Sequence, residues 1–259
     1  MNGMKSFADF MEVEKSYQAF FDCKKHGKYQ GIQTVYKNGF TVKSACPKCN
    51  DEKHKLEKEF EKEQQVKILK AMNIEPEFYY KTFDDFIPKD KSQEKALYAV
   101  KKMIEQRHGK VILLGSNGVG KTMLASIATR ILGGKIYSMY EISAMIRQSY
   151  TIKAERSELE IVKELASVPF LAIDELGRTK CSDTEQNWLS YILDKRHTRN
   201  LPFMIMGNGH FKKFCKFGGC PKCFENFVDN DILSRLREDS SIVVIEAPDE
   251  RSNKKEALQ

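Results

Sequence analysis

Lys110-Val111-Ile112-Leu113-Leu114, followed by Gly115-Ser116-Asn117-Gly118-Val119-Gly120-Lys121-Thr122, is the stretch on which the reading of this chain turns. The short apolar run before Gly115 fits a buried strand. The eight residues after it match G-x-x-x-x-G-K-[ST], and residues 123–132 read as a helix that stops at Gly133-Gly134. Strand, glycine-rich turn and helix in that order make a phosphate-binding loop. The glycines let successive backbone N–H groups face a phosphate, and the helix N-terminus adds partial positive charge. Lys121 is then placed to reach β- and γ-phosphates, and the Thr122 hydroxyl to ligate Mg²⁺. Without the flanking strand and helix, the same residues would be only a turn.

Working outward, the pattern alternates. Helices are expected over 92–105, 141–150, 158–166, 185–197 and 231–238, and strands over 110–114, 135–139, 168–174, 202–206 and 241–246. Such alternation predicts an α/β fold with a parallel sheet covered by helices on both faces. The strand Leu171-Ala172-Ile173-Asp174-Glu175 ends in two carboxylates. Asp174 is placed to hold the magnesium, and Glu175 to polarise an attacking water. The pair separates a water-activating ATPase from a small-molecule P-loop kinase. The strand 202–206 ends at Gly207-Asn208. If it lies between the two motif strands, Asn208 sits near the γ-phosphate; alone, the dipeptide is a turn signal.

Together these residues resemble the AAA+ ATPases, and within them the replicative helicase loaders of the DnaC/DnaI type and the IstB-like ATP-binding group. The resemblance covers about residues 76–252 and rests on GSNGVGKT, AIDELG, Asn208 and Asp231-Ile232-Leu233-Ser234-Arg235-Leu236. It implies that Asn208 is the sensor-1 residue and that Arg235 is an arginine finger reaching the ATP of a neighbouring subunit. Arg251 resembles the family's γ-phosphate-sensing basic residue near the C-terminus. Tyr80, Phe83 and Phe86 fall where the family packs near adenine, although an aromatic cluster also suits a core. The resemblance further implies partners: a hexameric DnaB-type helicase, single-stranded DNA and self-association through the ATP interface. The segment 137–150, YSMYEISAMIRQSY, lies where the family carries a DNA-facing helix, and it also reads as an ordinary amphipathic helix.

Two clusters carry metal-ligand chemistry. Cys23-Lys24-Lys25-His26 is followed by nineteen residues and then Cys46-Pro47-Lys48-Cys49. Two such pairs can fold toward one tetrahedral zinc ion, a closed structural site that substitutes for a core in so short a segment. Some helicase loaders carry an N-terminal zinc module that docks on the helicase, and the resemblance supports the same role here. The second cluster is Cys215, Cys220 and Cys223, with His210 as a fourth donor. It lies in a stretch longer than in typical loaders. Lys212, Lys213, Lys216 and Lys222 interleave there with Phe211, Phe214 and Phe217, which suits a small zinc knuckle touching nucleic acid or a flexible basic loop with reduced thiols. Cys181 has no partner at ligand spacing.

Composition sets the outer bounds. In 259 residues, 43 basic and 36 acidic side chains leave a charge of +7, which suits a polyanionic partner. At 41% apolar the chain can build a core, which excludes a wholly disordered chain. No apolar run of about 18 residues is present, and the first twenty residues carry Asp9, Glu12 and Glu14 without an apolar stretch. A soluble cytoplasmic protein with no membrane partner is expected, and in that compartment cysteines are thiols or metal ligands. The expected organisation is a zinc module at 1–50, a charged helical linker at 51–75, an ATPase domain at 76–252 with a Cys-rich insertion at 210–224, and a tail at 253–259. The leading expectation is an ATP-hydrolysing helicase loader in DNA replication. The alternatives are an IstB-like ATPase regulating a transposase, or a zinc-dependent nucleic-acid-binding protein with a structural nucleotide site.

Overall fold

The computed structural model describes residues 12–178, 180–216 and 218–248. The chain divides into two compact units, Met1–Val66 and Lys67–Gln259. In the first, strands β1 (Val13–Cys23), β2 (Gly27–Tyr36) and β3 (Thr41–Lys43) form an antiparallel sheet in that order. Cys23 pairs with Gly27, so Cys23 and His26 lie at the tip of the β1–β2 hairpin. Gly27 takes a positive φ of 73° as the chain re-enters the strand. Helix α1 (Pro47–Ala71) follows; proline opens it where its missing N–H costs nothing. Of the helix, only Leu69 is buried, in agreement with the Lys/Glu-rich composition. Residues 29–42, with Gly31 and Gly39, read in sequence as a hairpin-like excursion, and β2 and β3 form it; β1 is not apparent there, because an exposed strand lacks a clean apolar alternation.

The second unit holds helices α2 (Lys91–Gln106), α3 (Lys121–Leu132), α4 (Met139–Gln148), α5 (Glu158–Leu165), α6 (Asp183–Thr198) and α7 (Asn230–Arg237). They alternate with strands β4 (Lys110–Gly115), β5 (Lys135–Ser138), β6 (Leu171–Asp174), β7 (Phe203–Gly207) and β8 (Ser240–Ile245). The five strands form one parallel sheet in the order β5-β6-β7-β4-β8. This is the parallel α/β arrangement with a phosphate-binding loop that the alternation and the glycine-rich motif predict. The expected helix boundaries shift by up to two residues, because capping residues set the helix starts, and β6 begins three residues later than expected. Ser138, Ser157 and Ser182 each form a capping box with a glutamate three residues on, and so begin α4, α5 and α6.

Burial on both faces explains the unbroken apolar runs. Ile112 and Leu114 of β4 join Ile173, Ile205, Ile142, Leu189, Ile192, Leu233 and Leu236 in one core cluster. The alternate residues Val111 and Leu113 are equally buried, as are Leu124, Ile127 and Ala128 of α3. Register then positions the site. Leu114 lies opposite Gly207 of β7, and Ile173 opposite Ile205. Gly115, Asp174 and Asn208 therefore emerge along the same carboxyl edge, where open α/β sheets bind ligands. Among the described residues, no helix is long and apolar enough to cross a membrane.

Candidate nucleotide-binding site

The glycine-rich turn between β4 and α3 is built on positive backbone angles, with φ of 154° at Gly115, 74° at Gly118 and 91° at Gly120. A side chain at Gly120 would start 2.5 Å from the Phe86 ring, and one at Gly115 would start 2.5 Å from the Ile245 carbonyl oxygen. Glycine is thus needed for both backbone freedom and space. Lys121 is buried, and its ammonium donates to the Gly115 carbonyl at 2.8 Å, the Ser116 carbonyl at 2.7 Å and Asn208 Oδ1 at 3.1 Å. Asn208 in turn donates from Nδ2 to Asn117 Oδ1 at 2.7 Å. The Thr122 hydroxyl donates to Asp174 Oδ2 at 2.8 Å. These contacts join the ends of β4, β6 and β7 at one cleft of about 270 Å³, lined by Asn117 to Met123, Asp174, Glu175 and Asn208.

The donor set fits a magnesium–triphosphate. A hydroxyl and a carboxylate meet at the cleft, both hard oxygen donors of the kind magnesium takes, beside an ammonium held by neutral oxygens. Glu175 sits in the left-handed region at φ 58° and borders the cleft. Its two carboxylate oxygens accept from Arg178 Nη1 at 2.9 and 3.0 Å. Arg178, Tyr140, Ser143, Arg147, Glu175 and Glu185 border a second groove of about 470 Å³. In that groove the Arg147 guanidinium lies 5.9 Å from the centre of the exposed Tyr140 ring.

The other residues expected at the site fall in several places. Arg235 on α7 does not line its own chain's cleft; its Nε donates to Asp194 of α6, and its carbonyl accepts from Lys110 Nζ at 3.1 Å. Arg251 and the tail lie outside the described residues. Of the three aromatics, Phe86 is buried against Gly120 and Tyr80 is exposed. Phe83 lies under the Lys101 ammonium, 5.2 Å from its ring centre. Phe78 and Glu77, not among the residues expected, line the cleft instead. Asn117 and Arg178 gain their contacts only through folding, and no motif position marks Arg178.

Both Cys–His sets converge. The ligand atoms of Cys23, His26, Cys46 and Cys49 all lie within 4.8 Å of one another, and so do those of His210, Cys215, Cys220 and Cys223. In the first set Cys23 Sγ is 3.5 Å from Cys49 Sγ, and His26 Nδ1 is 3.3, 3.7 and 3.8 Å from the sulfurs of Cys49, Cys46 and Cys23. Zinc bonds of about 2.3 Å to sulfur and about 2.0 Å to nitrogen give tetrahedral edges of about 3.5–3.8 Å, so the spacing is compatible with zinc. His26 Nε2 meets Glu52 at 3.2 Å, the carboxylate partner that orients a ligating imidazole. Cys181 is buried, and burial pushes its thiol up to about 12, which marks it as inert.

Comparison with known proteins agrees with this arrangement. The sequence profile of the IstB-like ATP binding protein family matches residues 51–257. Over 198 residues the chain is 23% identical to the replicative helicase loader DnaC of Escherichia coli strain K12, covering 73% of this chain and 76% of that protein. A crystal structure of the DnaC helicase loader matches with a TM-score of 0.54 at 19% identity, over 66% of this chain and 100% of that one. A DnaI structure matches with a TM-score of 0.53 at 20% identity, over 67% and 95%. AMPPCP-bound DnaA from Aquifex aeolicus gives 0.55 at 19%, over 71% of this chain and 56% of that one, so the chain spans little more than half of that relative. At these identities the structural likeness shows the fold, whereas the profile match takes in the whole nucleotide cleft. The chain therefore belongs to the IstB-like ATP-binding protein family.

Proposed function

We propose that this chain is a cytoplasmic ATP-hydrolysing loader that delivers a hexameric replicative helicase of the DnaB type to single-stranded DNA. The observation that carries the reading is the meeting of Lys121, Thr122, Asp174, Glu175 and Asn208 at one cleft, in a chain with sequence kinship to DnaC. The glycine-rich backbone and Lys121 bind and orient the phosphates. Thr122 and Asp174 would hold magnesium, which supplies charge neutralisation on the phosphate oxygens when bound. Glu175 orients and takes a proton from the attacking water, and Asn208 fixes the water or the γ-phosphate from the neighbouring strand. Arg235, on the face outside its own cleft, completes the site of an adjacent copy.

The groove shared by Tyr140, Arg147, Arg178 and Glu175 supports a link between DNA and hydrolysis. An aromatic ring and two guanidinium groups suit a base and its phosphates. Phosphate binding to Arg178 would release Glu175 for the water. The first unit, held by Cys23, His26, Cys46 and Cys49 around zinc, is the helicase-docking module in this reading.

The test is native mass spectrometry of the chain mixed with the replicative helicase of its host, with and without ATP, for wild type and Glu175→Gln. The loader reading expects a complex of fixed stoichiometry that persists in Glu175→Gln with ATP. Absence of any complex, with ATPase activity still stimulated by DNA, would overturn it. That outcome favours the second reading, an ATPase that regulates a transposase, which the IstB-like family match supports.

A further inference from the structure

The segment between β7 and α7 buries Phe211 and Phe224 near its ends and exposes much of its described middle. Lys212, Lys213 and Phe214 are exposed, and Gly218 and Gly219 take φ of 68° and 159°. Its ends are nevertheless closed. The His210 N–H donates to the Lys222 carbonyl at 3.3 Å, and the Phe224 N–H donates to the His210 carbonyl at 2.8 Å, which makes a parallel bridge between His210 and Cys223. Inside this closure, His210 Nε2 lies 3.4 Å from Cys220 Sγ and 3.7 Å from Cys223 Sγ, and the two sulfurs are 3.9 Å apart. Cys215 brings the fourth donor within 4.8 Å of the others.

We propose that His210, Cys215, Cys220 and Cys223 bind a structural zinc ion, and that this centre fixes Asn208 and the Arg235-bearing helix relative to each other. A disulfide between Cys220 and Cys223 would use two of the four donors and leave His210 and Cys215 converging without purpose. A tetrahedral ion uses all four, and three thiolates with one imidazole select zinc over harder cations. Zinc with three thiolates carries a net charge of about −1. Lys212, Lys213, Lys216 and Lys222 in the same loop offset it.

The centre sits on a small aromatic base. Phe211 and Phe224 are buried with ring centres 5.4 Å apart. A side chain at Gly207, next to Asn208, would start 3.5 Å from the Phe224 ring. One at Gly177, two residues past Glu175, would start 3.4 Å from the same ring. Arg237 of α7 lies over Phe211 at 5.4 Å and pairs with Glu225 at 2.7 Å. The loop thus touches the end of β7, the turn after Glu175, and α7, the three places whose relative position the ATP site depends on. The coupling half of this inference rests on the ATPase reading; the metal half does not.

The test counts zinc per full-length chain by elemental analysis, for wild type, Cys46→Ser/Cys49→Ser and Cys220→Ser/Cys223→Ser. Amide hydrogen exchange then reads the consequence. We expect two ions in wild type, one for each cluster, and one in each double variant. Loss of protection in the Cys220→Ser/Cys223→Ser protein should be confined to residues 203–237. Should that variant not fold, wild type treated with chelator is compared with chelator-treated Cys46→Ser/Cys49→Ser over residues 203–237, where both should lose protection. A single zinc in wild type that disappears in Cys46→Ser/Cys49→Ser overturns the site. So does a Cys220–Cys223 disulfide in a non-reducing peptide map. Zinc at the second cluster with unchanged exchange at Asn208 and α7 overturns the coupling. None of these readouts uses nucleotide, DNA or helicase, so failure of the loader reading would be seen separately.

Discussion

At the scale of single residues, the cleft separates binding from chemistry. In the proposed function Lys121, a buried ammonium, holds the phosphates, so Lys121→Ala should remove a charge-assisted contact of roughly 1.5–3 kcal/mol. Titration calorimetry should show MgATP affinity falling about 10- to 100-fold or beyond detection. Glu175→Gln keeps the size and loses the base, so ATP should still bind while hydrolysis drops by about 10²–10⁴-fold in a phosphate-release assay. Arg178 gives a finer prediction. Its side chain is largely exposed, so its pair with Glu175 adds little stability. Arg178→Ala should leave thermal unfolding unchanged and raise the DNA-free ATPase rate up to roughly fivefold, because a pair of this kind holds Glu175 by no more than about 1 kcal/mol. An unchanged basal rate in that variant would show that the contact does not restrain Glu175. The P-loop residues were legible in sequence because the chemistry demands those types at that spacing. Arg178 and Phe78 were not, since their roles come from position alone.

At the scale of elements, the parallel sheet needs its far edge closed as firmly as its active edge. Arg196 on α6 is fully buried and donates to the carbonyls of Leu165 and Val168 at 3.0 and 2.8 Å and of Pro202 at 2.6 Å. It therefore ties the end of α5, the entry to β6 and the entry to β7 together. Loss of the guanidinium would leave these largely buried carbonyls without their donor. Arg196→Leu should cost about 2–4 kcal/mol and lower the melting temperature by roughly 5–15 °C in a thermal scan, with MgATP affinity little changed at the opposite edge. In sequence Arg196 is one cation in the Lys-Arg-His end of a helix, where an exposed residue completing the helix dipole is the ordinary expectation. The helices themselves were legible because apolar periodicity acts locally.

At the scale of the molecule, the two units draw stability from different sources. Among the described residues of the first unit, Cys46 is the only buried one, so its hairpin has no apolar core. Removing zinc with a chelator should therefore abolish exchange protection in residues 13–50 while the ATPase unit keeps its own cooperative melting. Equal loss in both units would contradict this division. By itself the sequence determined the parallel α/β class, the phosphate-binding loop, the paired carboxylates and the two sets of thiols. Each of these is specified by short-range spacing: hydrophobic period, glycine at positions of positive φ, and ligands in pairs. Tertiary structure alone decided that β7 lies between β4 and β6, which brings Asn208 onto Lys121. It also decided that Arg178 holds Glu175, that Arg196 closes the opposite edge, and that His210 joins its three cysteines. The Asn208–Lys121 and Arg196 contacts join residues far apart in the chain, and strand order and packing bring them together; the Arg178 and His210 contacts depend on how single loops fold against the core, which spacing alone does not encode.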